Sequence, residues 1–169
     1  MNIVIDTNIF IAALIKKEGL ARNIIINSGH SFIFPEYEFQ EIYKYKEDIL
    51  KKSGYSEIEF IQAISLLLNH MRIASYEEIS NSHDKSIEIM EEIDANDIIF
   101  IATALAFDAI IWSEDFHFKK QNQIKTLNID NCIACSSILM QFSICITATK
   151  HAINRAVIHT KEINELFAA

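Results

Sequence analysis

Proline and glycine are scarce in this chain: its 169 residues hold one Pro and three Gly. That is too few for the many tight turns of an all-β sandwich or barrel. Cysteine is scarce too, and three Cys at irregular spacing make no disulfide framework, so a reducing, cytoplasmic setting is expected. Basic residues are outnumbered, 15 Lys and Arg against 23 Asp and Glu, for a formal net charge of −8. This balance excludes a broadly basic surface that holds nucleic acid by neutralising phosphates without regard to sequence. The opening Met1-Asn2-Ile3-Val4-Ile5-Asp6 has no basic segment and no small-residue cleavage site, so no secretory signal is expected.

Apolar residues are plentiful. At 50% hydrophobic and 22% charged, the chain carries enough apolar surface for one folded core, which excludes intrinsic disorder. The long uncharged run Cys132–Thr149 covers 18 residues, the lower edge of membrane-spanning length. Six of those 18 are Ser, Thr or Gln, so the run is read as a buried or partner-covered helix and no membrane association is expected.

With 33 Ile in the chain, β-branched content alone overstates strands, and run length and punctuation decide instead. Asn2–Ile5 reads as a buried strand, followed by helices over Ile9–Ile15 and Leu20–Asn27. Ser31–Phe34 is a strand stopped by Pro35. Glu36–Lys52 reads as one long charged helix with Phe39, Ile42, Tyr43 and Ile49 on its inner side. Ser56-Glu57-Ile58-Glu59 has the form of a capping box and opens an amphipathic helix through Leu68. Arg72–Ser75 is a third strand, Ser82–Glu92 a helix, and Asn96–Phe107 a strongly apolar helix. Ala109–Ser113 is a fully buried strand and Ile124–Ile129 a weaker edge strand. Strands alternating with helices give an α/β fold with a central parallel sheet. The ending is open: Ala156–His159 reads equally as a last strand before a capped helix.

In such a sheet, ligands bind beyond the carboxyl ends of the strands. Asp6 follows the first strand and Asp115 follows the Ala109–Ser113 strand. Glu41 lies early in the helix after the second strand, and Asp97 begins the apolar helix. Each has an ordinary role as well: a helix cap for Asp6 and Asp97, a turn for Asp115, a solvated helix face for Glu41. Brought together, four carboxylates repel unless something compensates. A hard divalent cation, Mg²⁺ or Mn²⁺, is the compensating species that oxygen ligands select. Such a cation lowers the pKa of bound water and neutralises charge on a phosphoryl oxygen, which points to phosphodiester hydrolysis.

These residues resemble a known family. Ile3-Val4-Ile5-Asp6-Thr7-Asn8 resembles the opening of PIN domains, whose first strand ends in an acid followed by Thr or Ser and then Asn. Asp94-Ala95-Asn96-Asp97 and the helix through Leu105 resemble that family's third acidic block, and Ile111-Trp112-Ser113-Glu114-Asp115 resembles its fourth. Glu41, after Phe34-Pro35, matches the second acid amid Glu36, Glu38 and Glu47. The resemblance covers roughly residues 1–130, leaving 131–169 as a C-terminal extension packed on the same domain or at a dimer interface. It implies a Rossmann-like three-layer α/β/α sandwich and a ribonuclease dependent on Mg²⁺ or Mn²⁺, in which a metal-bound water attacks RNA. Many members are toxins of toxin–antitoxin pairs, so an antitoxin protein and a homodimer are implied partners. Carried over residue by residue, Asp6, Glu41, Asp97 and Asp115 would be catalytic metal ligands. Asp94 would be an extra metal ligand or an acid behind the ligands, and Asn8 and Ser113 would orient the carboxylates through hydrogen bonds.

Lys119 and Lys120, just beyond Asp115, would reach RNA phosphates if RNA binds, with Lys44 among the cations flanking other site elements, although a solvated face accounts for paired lysines as well. His117 stands close enough to Asp115 to touch substrate, although a surface or core role accounts for it as well. Cys132 and Cys135 have the spacing of half a zinc or redox site, with no second pair to complete it. Two other readings are weighed. A haloacid-dehalogenase-like phosphatase also places Asp after its first strand, but needs a second Asp two residues on, where this chain has Asn8. A non-catalytic PIN-like module would bind RNA or protein without cleaving it.

Overall fold

The computed structural model of the protein describes residues 1–131, all within one compact unit, Met1–Cys135. The readings of Cys132–Thr149, of the Cys132 and Cys135 pair and of Ala156–His159 lie outside the described residues. So does the extension expected over 131–169, apart from its first residue.

Five parallel strands form the central sheet: β1 (Asn2–Ile5), β2 (Ser31–Pro35), β3 (Met71–Ala74), β4 (Ile110–Trp112) and β5 (Thr126–Leu127). Their order is β3-β2-β1-β4-β5. The chain therefore builds outward from β1 to β3, then crosses back to lay β4 against the other side of β1. Alternate strand residues serve opposite layers, as a sheet covered on both faces requires.

Val4 pairs in register with Ile33 on one side and Ile111 on the other. These three share a core cluster with Ile79, Met90, Phe100 and Ile101. They thus pack against α6 (Tyr76–Ile79), α7 (His83–Met90) and α8 (Ile98–Ala106). The opposite face carries Phe32, Phe34 and Trp112, all fully buried. Phe34 stacks on Phe10 of α1 (Thr7–Ile15) at 4.7 Å between ring centroids. The helices α2 (Leu20–Asn27), α4 (Lys46–Ser53) and α5 (Glu57–Leu68) pack with α1 in that layer. The result is the expected three-layer α/β/α sandwich. Among the described residues, no helix is long and apolar enough to cross a membrane.

Local signals account for most element ends. Ser56 and Glu59 form the expected capping box at the start of α5, and Ser75 with Glu78 forms a second one at α6. Gly54 ends α4 at φ 70°, a left-handed position that glycine fills without strain.

The long helix expected over Glu36–Lys52 is instead three pieces. A 3₁₀ turn covers Glu36–Glu38, followed by α3 (Phe39–Lys44) and, after a break at Tyr45, by α4. Ile42 and Ile49 are both buried and seven residues apart, a spacing that an unbroken helix also satisfies, so periodicity carries no trace of the break. Tyr43, expected inside, is 59% exposed, and its ring lies in a T-shaped pair with the buried Phe60.

Candidate metal-binding active site

Strand order reverses between β1 and β4, and a crevice opens at such a switch point, beyond the carboxyl ends of the two strands. Pairing continues one residue past β1, because the Asp6 N–H donates to the Trp112 carbonyl at 3.1 Å. Asp6 is thereby held beside Ser113. The Ser113 hydroxyl donates to Asp6 Oδ2 at 2.6 Å and accepts the Asp115 N–H at 2.9 Å. Asp6 also caps α1, as its ordinary reading required, but the bond from the Asn8 N–H to Oδ1 is a long 3.4 Å. Asn8 thus reaches Asp6 through its backbone, and its side chain is exposed.

Pro35 closes β2, and the 3₁₀ turn after it swings Glu38 inward, where it is 7% exposed. Glu38 Oε2 accepts a hydrogen bond from the Thr7 hydroxyl at 2.8 Å. Burial, and the neighbouring Glu41 and Asp6 carboxylates, push the Glu38 carboxyl up to about 7 against the relief supplied by Thr7. Asp6 is raised as well, first by burial and then by Asp115 and Glu41, while Ser113 and the Asn8 N–H lower it.

The third side of the crevice comes from the segment before α8. Asp94 caps a 3₁₀ turn over Ala95–Asp97, its Oδ1 accepting the Asn96 N–H at 3.0 Å and the Asn96 side-chain amide at 3.1 Å. Asp97 stands at the start of α8 but makes no side-chain cap bond, and its Oδ2 is buried without a partner among the described residues. Burial pushes the Asp97 carboxyl up to about 7, with Asp94, Asp6, Asp115 and Glu38 adding to the effect.

These acids line one cleft of about 970 Å³: Asp6, Glu38, Glu41, Asp94, Asp97 and Asp115. Lys44 is the one Lys or Arg among its lining residues. Of the residues singled out from sequence, Ser113 lies behind the cleft, fully buried, and Asn8 lies at its wall. Lys119 and Lys120 are exposed on the turn after Asp115 and do not belong to the lining. Tyr37, Tyr45 and Tyr76 are exposed in the cleft wall, with the Lys44 ammonium 5.4 Å over the Tyr45 ring.

Two participants were not among the ligands assigned from sequence. Glu38 competed with Glu41 for one assignment, yet the turn after Pro35 brings both to the cleft. His117 sits with Nδ1 3.0 Å from Asp94 Oδ2 and 3.6 Å from Asp115 Oδ1, without the alignment of a hydrogen bond. The donor set fits a divalent cation: carboxylate oxygens predominate, one is buried and unpartnered, and a single lysine opposes six acids.

A family model described as PIN domain matches residues 4–132. Among solved structures, VapBC2 from Rickettsia felis, bound to a DNA fragment from the promoter, is similar with a TM-score of 0.58 at 17% identity. That match covers 76% of this chain and 98% of the other. VapBC-1 from nontypeable Haemophilus influenzae gives a TM-score of 0.55 at 18% identity, covering 77% of this chain and 99% of the other. At these identities the likeness is one of fold. No curated protein sequence is significantly similar to the chain.

Proposed function

We propose that this chain, which belongs to the PIN domain family, is an endoribonuclease dependent on Mg²⁺ or Mn²⁺. The observation that carries the reading is the convergence of Asp6, Glu41, Asp97 and Asp115, joined by Glu38 and Asp94, at the point where strand order reverses. An uncompensated cluster of this kind costs folding energy, as the raised carboxyls of Asp6, Glu38 and Asp97 register. A cation-dependent function supplies a reason to retain it.

Asp6, Glu41, Asp97 and Asp115 would hold the cation, directly or through water, with Asp94 beside them. When bound, Mg²⁺ or Mn²⁺ makes water a nucleophile at neutral pH and offsets charge on the phosphoryl oxygens. Ser113 fixes the rotamer of Asp6 and the backbone of Asp115 with one hydroxyl. Glu38, protonated for part of the time near neutral pH, is suited to pass or hold a proton within the cleft. The exposed rings of Tyr37, Tyr45 and Tyr76 suit unpaired bases, which stack on aromatic side chains. Lys44 is the base best placed for a phosphate, with Lys119 and Lys120 reaching only more distant ones.

The direct test is cleavage of a mixed RNA pool with Mg²⁺ or Mn²⁺, alongside Asp6→Asn and Asp97→Asn. Cleavage by the wild type and its loss in both folded variants is expected. A folded wild type that binds RNA but cleaves none with either metal would favour the binding-module reading. We also propose a toxin role in the cytoplasm, restrained by an antitoxin, and a homodimeric state. Both rest on the family. A short reading frame beside this gene whose product relieves growth arrest would support the toxin role, and light scattering would test the dimer.

A further inference from the structure

We propose that His117 is a nitrogen ligand of the cation in this cleft, and that with Asp94 and Asp97 it biases the site toward Mn²⁺ over Mg²⁺. The proposal rests on the metal-dependent reading above and adds a ligand that lies outside the four matched acids. One donor atom from each of Asp94, Asp97 and His117 lies within 4.8 Å of the other two. Around a small octahedral ion with ligands at about 2.1 Å, neighbouring donors sit about 3.0 Å apart and opposite ones about 4.2 Å. The 3.0 Å from His117 Nδ1 to Asp94 Oδ2 is the spacing of neighbouring corners, and the 3.6 Å to Asp115 Oδ1 falls between the two spacings.

Two independent turns aim these groups at one point. Asp94 is oriented by the bonds that its other oxygen accepts from Asn96. His117 is positioned by its backbone N–H, which donates to Asp115 Oδ1 at 2.8 Å. At that point Asp97 Oδ2 and His117 Nδ1 are both buried, and neither makes a hydrogen bond among the described residues. An imidazolium serving as a simple counter-ion would direct its N–H at a carboxylate oxygen. A close approach without that alignment is what two donors to a shared cation show.

The chemistry then sets the preference. Mg²⁺ takes oxygen ligands and dehydrates reluctantly, whereas imidazole nitrogen suits first-row transition ions. Asp97 and Asp115 reach both kinds of ion. His117 discriminates between them.

The test uses the 169-residue chain with Mn²⁺ as the probe. Pulsed electron paramagnetic resonance of bound Mn²⁺ should show coupling to one imidazole nitrogen, and His117→Gln should abolish that coupling. Titration calorimetry should show His117→Gln weakening Mn²⁺ binding about 10-fold or more while changing Mg²⁺ binding much less. His83, the histidine among the residues lining the cleft, is the control: His83→Gln should keep the coupling. Bound Mn²⁺ without nitrogen coupling, or coupling lost in His83→Gln instead, would overturn the assignment of His117 and leave the metal-dependent reading standing. Absence of any Mn²⁺ or Mg²⁺ binding would overturn both.

Discussion

The Ser113 hydroxyl lies 2.6 Å from Asp6 Oδ2 although 107 residues separate the two in the chain. The Ser113 hydroxyl oxygen also accepts the Asp115 N–H. One buried hydroxyl thus ties the ends of the two central strands and sets the spacing of two cleft carboxylates. The link is possible because β4 returns to pair with β1 after β2 and β3 have been laid down on the other side.

Removing that hydroxyl should loosen the cleft without collapsing the sheet, since β1 and β4 keep their backbone ladder. Ser113→Ala is expected to weaken divalent-metal binding about 10–100-fold, the usual effect of losing a group that orients a ligand. Ser113→Thr, which keeps the hydroxyl, should lose much less. Calorimetric titration with Mn²⁺ decides, and equal affinities in all three proteins would contradict the role given to Ser113.

Asp97 and Glu38, pushed up to about 7, and Asp6, also raised, make the metal-free protein pH-sensitive. Between about pH 4 and about pH 7 the folded state binds protons that the unfolded chain has released, so stability falls as pH rises through that window. In chelator, the thermal midpoint should be several degrees lower at about pH 8 than at about pH 5.5. Asp97→Asn should flatten the profile. A metal-free midpoint that rises with pH would show that these carboxyls are not held together.

Cation binding should reverse that trend. At a concentration about 100 times the dissociation constant, a metal bound only by the folded state adds about 2.7 kcal/mol. Scanning calorimetry at about pH 8 should therefore show a higher midpoint with Mn²⁺ or Mg²⁺ than with chelator, and a smaller gain at about pH 5.5, where protons compete. Asp6→Asn should lose most of the gain; a gain of full size in that variant would remove Asp6 from the ligand set.

The scarcity of glycine leaves one visible cost. Asp108 follows α8 in the left-handed region, at φ 46°, and the Ala109 N–H closes the helix end on the Ala104 carbonyl at 2.9 Å. After α4 the corresponding position is held by Gly54. Asp108→Gly should stabilise the protein by about 1 kcal/mol, the strain a side chain adds there. Chemical denaturation would read this as a higher midpoint at unchanged slope.

Much of this architecture was legible because its signals are local. Asn2–Ile5 and Leu20–Asn27 stand where run length and punctuation placed them, and Ser56 with Glu59 closes the capping box that the spacing announced. The break at Tyr45 was not legible, because seven-residue spacing serves a straight helix and a broken one alike. The fold class and the acids at element ends follow from the order of residues along the chain.

Which of those acids share a cleft is a different matter, because it depends on strand order, and no local pattern encodes that order. Asp6 and Asp115 meet because β4 pairs with β1, and Glu38 is buried on the 3₁₀ turn that follows Pro35. His117 comes within reach of Asp94 only because two separate turns converge. The amino-acid sequence by itself determined a parallel α/β sheet with acids at its strand and helix ends. The tertiary structure alone decided which of them crowd together, how far burial raises them, and that a histidine stands among them. Proximity across 107 residues is a property of packing.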